Sequence, residues 1–432
     1  MKPKLSKHFQ TRKPSSIRQA QIIFSKRLDR KDVEVINLAI GNISLPMYPA
    51  MKKRLNTLSN LYFKEGIVKY TPTVGTDEAR AAFLNILLSE NIKIDGIECL
   101  ITDGGSAAME IMLLGVCGPS SKKPILLLDP TYTNYTEFCN RLSIPFITTK
   151  RKLNDKGSFN SLDLKKIEKL IKKEKPAGII VIPYDNPSGQ YLNQDTLIEI
   201  SKICVNNNIW IISDEAYRSL YFNQDEGQCS SIWRISESQV PGISKRRISI
   251  ESASKVWNAC GLRIGALLTD NKRFHESATS EYTANLSANS IGQMIFGSLA
   301  NESIIDLQLW YKKQRKYYSD IMFKVRNNLL NDLPGLIVSK PEAAIYFILD
   351  FKNICKVNFN AEVFTQFCAG KGKVLIEEKK YTLLLAPMNG FYKNSKHGKT
   401  QLRLAVVEPS EKMFMTSKVL KKLYIDFNLS NS

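Results

Sequence analysis

Apolar residues along the 432-residue chain fall into two rhythms. Short, nearly unbroken runs recur at "PILLLD" (124–129), "AGIIVIPY" (177–184), "NIWIISD" (208–214), "RRISIES" (246–252) and "IGALLTD" (264–270). Runs of that length are expected of strands covered on both faces. Between and before them, 76–91, 106–116, 162–174 and 194–207 carry apolar residues at helical spacing, with Thr, Ser or Asp available as N-caps. The alternation predicts an α/β domain with a mostly parallel sheet sandwiched by helices, whose ligand would lie at the carboxyl ends of the strands. Residues 303–330 read as one amphipathic helix of about 42 Å, long enough to join two domains. Beyond it, 343–351, 373–378 and 400–407 read as strands of a smaller α+β domain, against which the first 45 or so residues are expected to pack. The expected division is an arm and part of the small domain in 1–48, the large domain in 49–305, and the rest of the small domain in 306–432.

Composition narrows the chemistry. No run approaches the roughly 18 apolar residues of a membrane span, and the first residues lack the apolar core of a secretory signal, so a cytoplasmic protein with no membrane partner is expected. Eight scattered cysteines with no C-x-x-C pair read as reduced small hydrophobes. Three isolated histidines argue against a histidine-ligated metal or a Ser-His-Asp hydrolase. The formal charge of +20 is regional: residues 1–31 hold ten Lys and Arg against one Asp, and 150–175 hold ten against four acids. Neither stretch has the interleaved aromatics of a single-strand binder or a DNA-reading module, so both read as solvated surface and no nucleic-acid partner is expected.

The candidate chemistry sits just past the strands. "DNPSG" (185–189) follows the 177–184 run, "DEAY" (214–217) the 208–214 run, and "SASKVWNACGLRIG" (252–265) the 246–252 run. In that last loop Lys255 stands among hydroxyls, glycines and Arg263, and an amine in a dry site loses its proton more readily and can then attack a carbonyl. "ITDGGSAAMEIMLL" (101–114) reads as a strand end, two glycines and a helix starting near Ser106, whose backbone N–H groups and dipole favour an anion.

Together these motifs resemble the class I/II aminotransferases, pyridoxal-phosphate (PLP) enzymes of fold type I. The resemblance runs from about residue 37 to 408 and rests on N-P-S-G, then D-x-x-Y, then S-x-S-K followed by G-x-R-x-G, in that order. It implies a lysine aldimine at Lys255, with the same amine moving the substrate's α-proton. It gives Asp214 to the pyridine nitrogen, Tyr217 and Asn186 to the phenolic oxygen, and Tyr132 to the ring face. Gly105, Ser106, Ser252, Ser254 and Arg263 fall to the phosphate, and Tyr70 to the phosphate of a neighbouring subunit, which makes a homodimer with shared sites the expected state. Arg403 would take the substrate α-carboxylate, with Gly41 and Asn42 of "AIGN" near it, where a plain turn is the alternative. Taken singly, Asp214 could be a helix N-cap, "NPSG" a turn and Tyr132 a core aromatic.

The implied reaction is transfer of an amino group from an L-α-amino acid to a 2-oxo acid by a ping-pong mechanism; a carbon–sulfur or other eliminating PLP lyase uses the same constellation and is the alternative. A transcription regulator with a domain of this kind would need a winged helix of about 70 residues ahead of the match, which residues 1–36 do not accommodate. The donor and acceptor are not legible. Dicarboxylate-preferring relatives bring in a second cation, and none is evident in "EYTANLSANSIGQ" (281–293).

Overall fold

The computed structural model describes residues 3–12, 14–222 and 229–430. A seven-stranded sheet runs in the order Glu98–Asp103, Ile264–Thr269, Arg247–Ser252, Trp210–Asp214, Gly178–Val181, Ile125–Asp129, Phe146–Lys150. Six strands point the same way, and Ile264–Thr269 is antiparallel to both neighbours. The continuous apolar runs are explained by two-sided burial. Leu126, Leu128, Ile179, Val181, Ile211, Ala266 and Leu268 enter the core on one face. Their alternates Ile125, Leu127, Ile180, Ile182, Ile212 and Leu267 enter the core on the other. This is the mostly parallel, helix-covered sheet that the patterning predicts.

The differences from the sequence reading have local causes. The 177–184 run pairs only over Gly178–Val181, because the chain leaves the sheet ahead of Pro183. Phe146–Lys150 is a strand that the pattern did not reveal: it lies at the sheet edge, mostly half-buried, and "FITTK" carries too little apolar signal. The helix expected near Ser106 is Gly104–Val116, so both glycines lie in its first turn. Arg151, expected on the surface, is buried, and so is Arg27 of the basic N-terminal stretch.

Two further sheets lie beyond the long helix, which spans Ile304–Asp332. Tyr346–Asp350 pairs antiparallel with Gln401–Ala405 on one side and Ile337–Val338 on the other. Glu34–Asn37 pairs in parallel with Lys379–Leu384, which brings the start of the chain onto its C-terminal part. The long helix also reaches the Lys255 loop. Trp310 Nε1 donates to Val256 O at 2.8 Å, and its ring stacks on Trp257 with 6.5 Å between centroids.

The reversed strand carries a tight packing constraint. A Cβ at Gly265 would lie 2.4 Å from Gly105 N and 2.9 Å from Glu251 O, both backbone atoms that cannot rotate away. Gly265→Ala is expected to lower the melting temperature by on the order of 4 °C. Gly261→Ala, whose Cβ would meet nothing within 4 Å, is expected to stay within about 1 °C. Equal shifts in thermal unfolding would show that this close approach is not a constraint.

Candidate active site

All the strand-end motifs open into one cleft of about 630 Å³. Asp103, Asp129, Val181, Asp214 and Ser252 end parallel strands at the same edge of the sheet. Because Ile264–Thr269 runs the other way, the residue before it, Arg263, also arrives there. Lining the cleft are Gly41, Asn42, Gly105, Ser106, Tyr132, Asn186, Asp214, Tyr217, Ser252, Ser254, Lys255, Arg263 and Arg403. Tyr70 does not line it: the side chain is 78% exposed on the outside of the chain.

Asp214 is 4% exposed. Its carboxylate accepts from the Tyr135 hydroxyl at 2.8 Å and from Ala216 N at 3.2 Å. Burial dominates these bonds and pushes its pKa up to about 6. A carboxylate under that strain gains from a fixed cationic partner. Tyr217 exchanges a 2.6 Å hydrogen bond with the Tyr346 hydroxyl, and burial together with that neighbour raises its phenol well above the ordinary value.

Lys255 Nζ donates to Gly41 O at 2.5 Å. The segment around Gly41 is held on both sides: Asn258 Nδ2 donates to Pro46 O at 3.0 Å and Ala405 N to Leu38 O at 2.9 Å. A Cβ at Gly41 would come within 2.5 Å of the Tyr346 hydroxyl and 3.0 Å of Lys255 Nζ, so glycine keeps the space beside the amine open. Gly104, at φ +73°, likewise lets Arg263 approach the start of the Gly104–Val116 helix, where a Cβ would meet Arg263 Nη2 at 2.5 Å.

Arg403 is 1% exposed. It donates to Asn186 Oδ1 at 2.9 Å and Ala39 O at 2.5 Å, and its guanidinium lies 4.4 Å from the Tyr346 ring centroid. Its Nε has no partner, and it pairs with no acid among the described residues. A buried guanidinium without a counter-charge is costly unless an anion reaches it.

Behind the cleft lies a set of charges that the sequence reading passed over. Arg218 Nη2 stands 2.5 Å from both a Glu215 and a Glu251 carboxylate oxygen, and all three residues are buried. Arg151 donates to Leu128 O and Pro130 O at 3.1 and 2.5 Å and pairs with Asp185 at 3.2 Å. Tyr135 and Tyr346 were also missed. Tyr135 is three residues beyond Tyr132 in "DPTYTNY", and Tyr346 is the one hydroxyl in the apolar run "AAIYFIL" (343–349), which are the signals that could have found them.

Residues 33–413 match the family described as Aminotransferase class I and II. The aspartate aminotransferase of Sulfurisphaera tokodaii is 25% identical over 358 residues, 82% of each chain. The Saccharomyces cerevisiae protein named "Probable kynurenine--oxoglutarate transaminase BNA3" is 27% identical over 335 residues, 74% of this chain and 70% of its own. A single mutant of Thermus thermophilus aspartate aminotransferase superposes with a TM-score of 0.79 over 98% of this chain and 100% of that one, at 18% identity, which speaks for the fold. The family is PLP-dependent, acts on amino acids and is typically homodimeric. With its family profile matched over most of its length, the chain belongs to the class I and II aminotransferases.

Proposed function

We propose that this chain binds PLP and transfers the amino group of an L-α-amino acid to a 2-oxo acid by a ping-pong mechanism. The observation that carries the reading is Arg403, a buried guanidinium without an acid partner among the described residues, opening on the same cleft as the Lys255 amine. A carboxylate docked there would be held in a dry site against a planar fork of donors, which fixes the orientation of the α-carbon toward the amine.

The residues present suit the cofactor. Gly105 and Ser106 offer N–H groups at a helix start, with Ser252, Ser254 and Arg263 adding hydroxyls and a charge, a donor set for a phosphate dianion. Asp214 would hold the pyridine nitrogen, Tyr217 and Asn186 the phenolic oxygen, and Tyr132 the ring face. Bound there, the cofactor supplies an electron sink for a bond broken at the substrate's α-carbon. Lys255 Nζ would bond the cofactor's aldehyde carbon and, once freed by substrate, take and return the α-proton. We keep the division at residues 48 and 305 as part of this proposal, with the cleft between the two parts.

The homodimer belongs to the same proposal. Ile67, Val68, Tyr70, Leu286 and Ile291 are exposed together with more than 40% of each surface open, and Thr73 Oγ1 donates to Leu286 O at 2.7 Å, which ties the two segments. Such an apolar patch is suited to a second copy, which would carry Tyr70 to the neighbour's phosphate.

Three outcomes test this. Lys255→Ala should abolish turnover and the adduct that borohydride fixes on peptide 252–263 of the wild type. A colourless wild type that acquires no adduct after soaking in PLP sinks the reading, and release of ammonia and pyruvate without an acceptor would favour the eliminating lyase.

The second outcome concerns Asp214 and pH. Its folded pKa of about 6 exceeds the ordinary 3.8, so between those values the folded chain binds more protons than the unfolded one. Without cofactor, the Asp214 contribution therefore costs stability as pH rises through that window, by on the order of 3 kcal/mol. Asp214→Asn should remove this part of the pH dependence in thermal melts and lose most of the turnover. Unimpaired turnover in that variant would refute the role.

The third is the assembly. Leu286→Glu should shift the protein toward monomer in sedimentation and weaken PLP affinity, as should Tyr70→Phe without change of mass. A monomeric wild type of full activity would overturn the shared site.

A further inference from the structure

Of the eight cysteines, Cys260 is the one that lines the cleft. Burial raises the thiol pKa of the other seven, Cys117 to about 12, which keeps them protonated and inert. Cys260 is only partly buried. It belongs to the Lys255 loop, and its own carbonyl accepts from Arg263 Nη1 at 3.2 Å. Lys255, Arg263, Arg403 and Arg18 line the same cleft against one acid, Asp214, so the thiol faces a cationic space that draws in anions.

Three cleft groups meet on the segment 39–42. Arg403 Nη2 donates to Ala39 O at 2.5 Å, Lys255 Nζ to Gly41 O at 2.5 Å, and Cys260 Sγ to Asn42 Oδ1 at 3.3 Å. Asn42 N donates back to Ile40 O at 2.7 Å, which folds the segment tightly and draws the three groups together. Arg403 by itself points to a ligand at this place. It is 1% exposed, its Nε has no hydrogen-bond partner, and it pairs with no acid among the described residues. An anion that reaches the guanidinium answers a costly buried charge, and it then lies against the segment that also holds the thiol.

The Cys260 thiol has no task in the proposed transamination. We infer that it is a covalent acceptor for small carboxylic acids that carry a leaving group on the α-carbon, with Arg403 holding the carboxylate while the sulfur attacks. The inference goes beyond the aminotransferase reading and needs no turnover. With an α-halo acid, a sulfur lone pair forms the bond to the α-carbon and the carbon–halogen bond breaks. Halide leaves and the thiol proton passes to solvent, so no oxidant or reductant enters. Capture removes the hydrogen that Cys260 donates to Asn42 and leaves the adduct in the cleft.

The test treats the PLP-loaded full chain with iodoacetate or with iodoacetamide, its uncharged counterpart, and maps the label by mass spectrometry of peptides. Iodoacetate should label Cys260 first. The ratio of its rate to that of iodoacetamide should be about tenfold higher at Cys260 than in free cysteine, as one charge-assisted contact at the carboxylate allows. Propionate, which has the carboxylate but no leaving group, should slow iodoacetate labelling more than chloride does at the same ionic strength. Arg403→Gln, its fold checked by thermal melting, should bring the ratio down to that of free cysteine, and Cys260→Ser should take up no label on this peptide. A label that goes first to Cys117, Cys355 or Lys255, a Cys260 ratio equal to that of free cysteine, or propionate no better than chloride overturns the assignment. So does a folded Arg403→Gln that keeps the ratio. A chain that shows the preference yet transaminates nothing sinks the aminotransferase reading and leaves the thiol site standing.

Discussion

The structure depends on strand ends being held in fixed relation around a cleft that itself has no packing to keep it open. Buried guanidinium groups do this. Glu215 follows Asp214, Arg218 follows Tyr217, and Glu251 precedes Ser252. The Arg218 contacts to both glutamates therefore join two adjacent strands directly behind the residues they present to the cleft. Strand alternation makes this economical, since Glu251 and Ser252 point to opposite faces. Arg151 does the same for the loops after Asp129 and Val181, through the carbonyls of Leu128 and Pro130 and the carboxylate of Asp185. Such buried pairs are weak stabilisers against an apolar alternative, but breaking one leaves a stranded charge at a cost of several kcal/mol. They fix geometry more than they add stability.

The second constraint is the reversed strand. A seventh parallel strand would have delivered its carboxyl end to the cleft. Ile264–Thr269 delivers its amino end instead, and with it Arg263. The reversal also presses Gly265 against Gly105 N, so the first turn of the Gly104–Val116 helix and the arginine that faces it are positioned by one contact. The loop 253–263 then has a structural meaning: it leaves one strand after Ser252, presents the Lys255 amine, and returns antiparallel beside it at Ile264, directly after Arg263.

Much of this was legible. The unbroken apolar runs marked the central strands because burial on both faces removes polar alternates, and the resemblance marked the cleft because its residues lie in short segments at strand ends. Phe146–Lys150 was lost since an edge strand needs only one good face. Tyr135 and Tyr346 were lost because each acts through a partner distant in sequence, Asp214 and Tyr217, which no local spacing reveals. The basic stretches misled in a specific way. Counting charge treats every arginine alike, while Arg151 and Arg27 spend theirs on buried carbonyls and carboxylates, and Arg18 reaches the cleft.

Charge balance in the cleft links these points to function. A buried acid raised by desolvation and a buried guanidinium that meets no acid among the described residues are each unfavourable in isolation, and the two form no ion pair with each other. Had Asp214 and Arg403 met, they would have neutralised each other, and neither charge would have faced the cleft unpaired. Asn186 prevents this: its amide oxygen accepts from Arg403 at 2.9 Å, which holds the guanidinium in place without cancelling its charge. Tyr135 serves Asp214 in the same way, with a neutral donor. Neutral partners orient the ions, and neither charge is cancelled by an opposite one among the described residues.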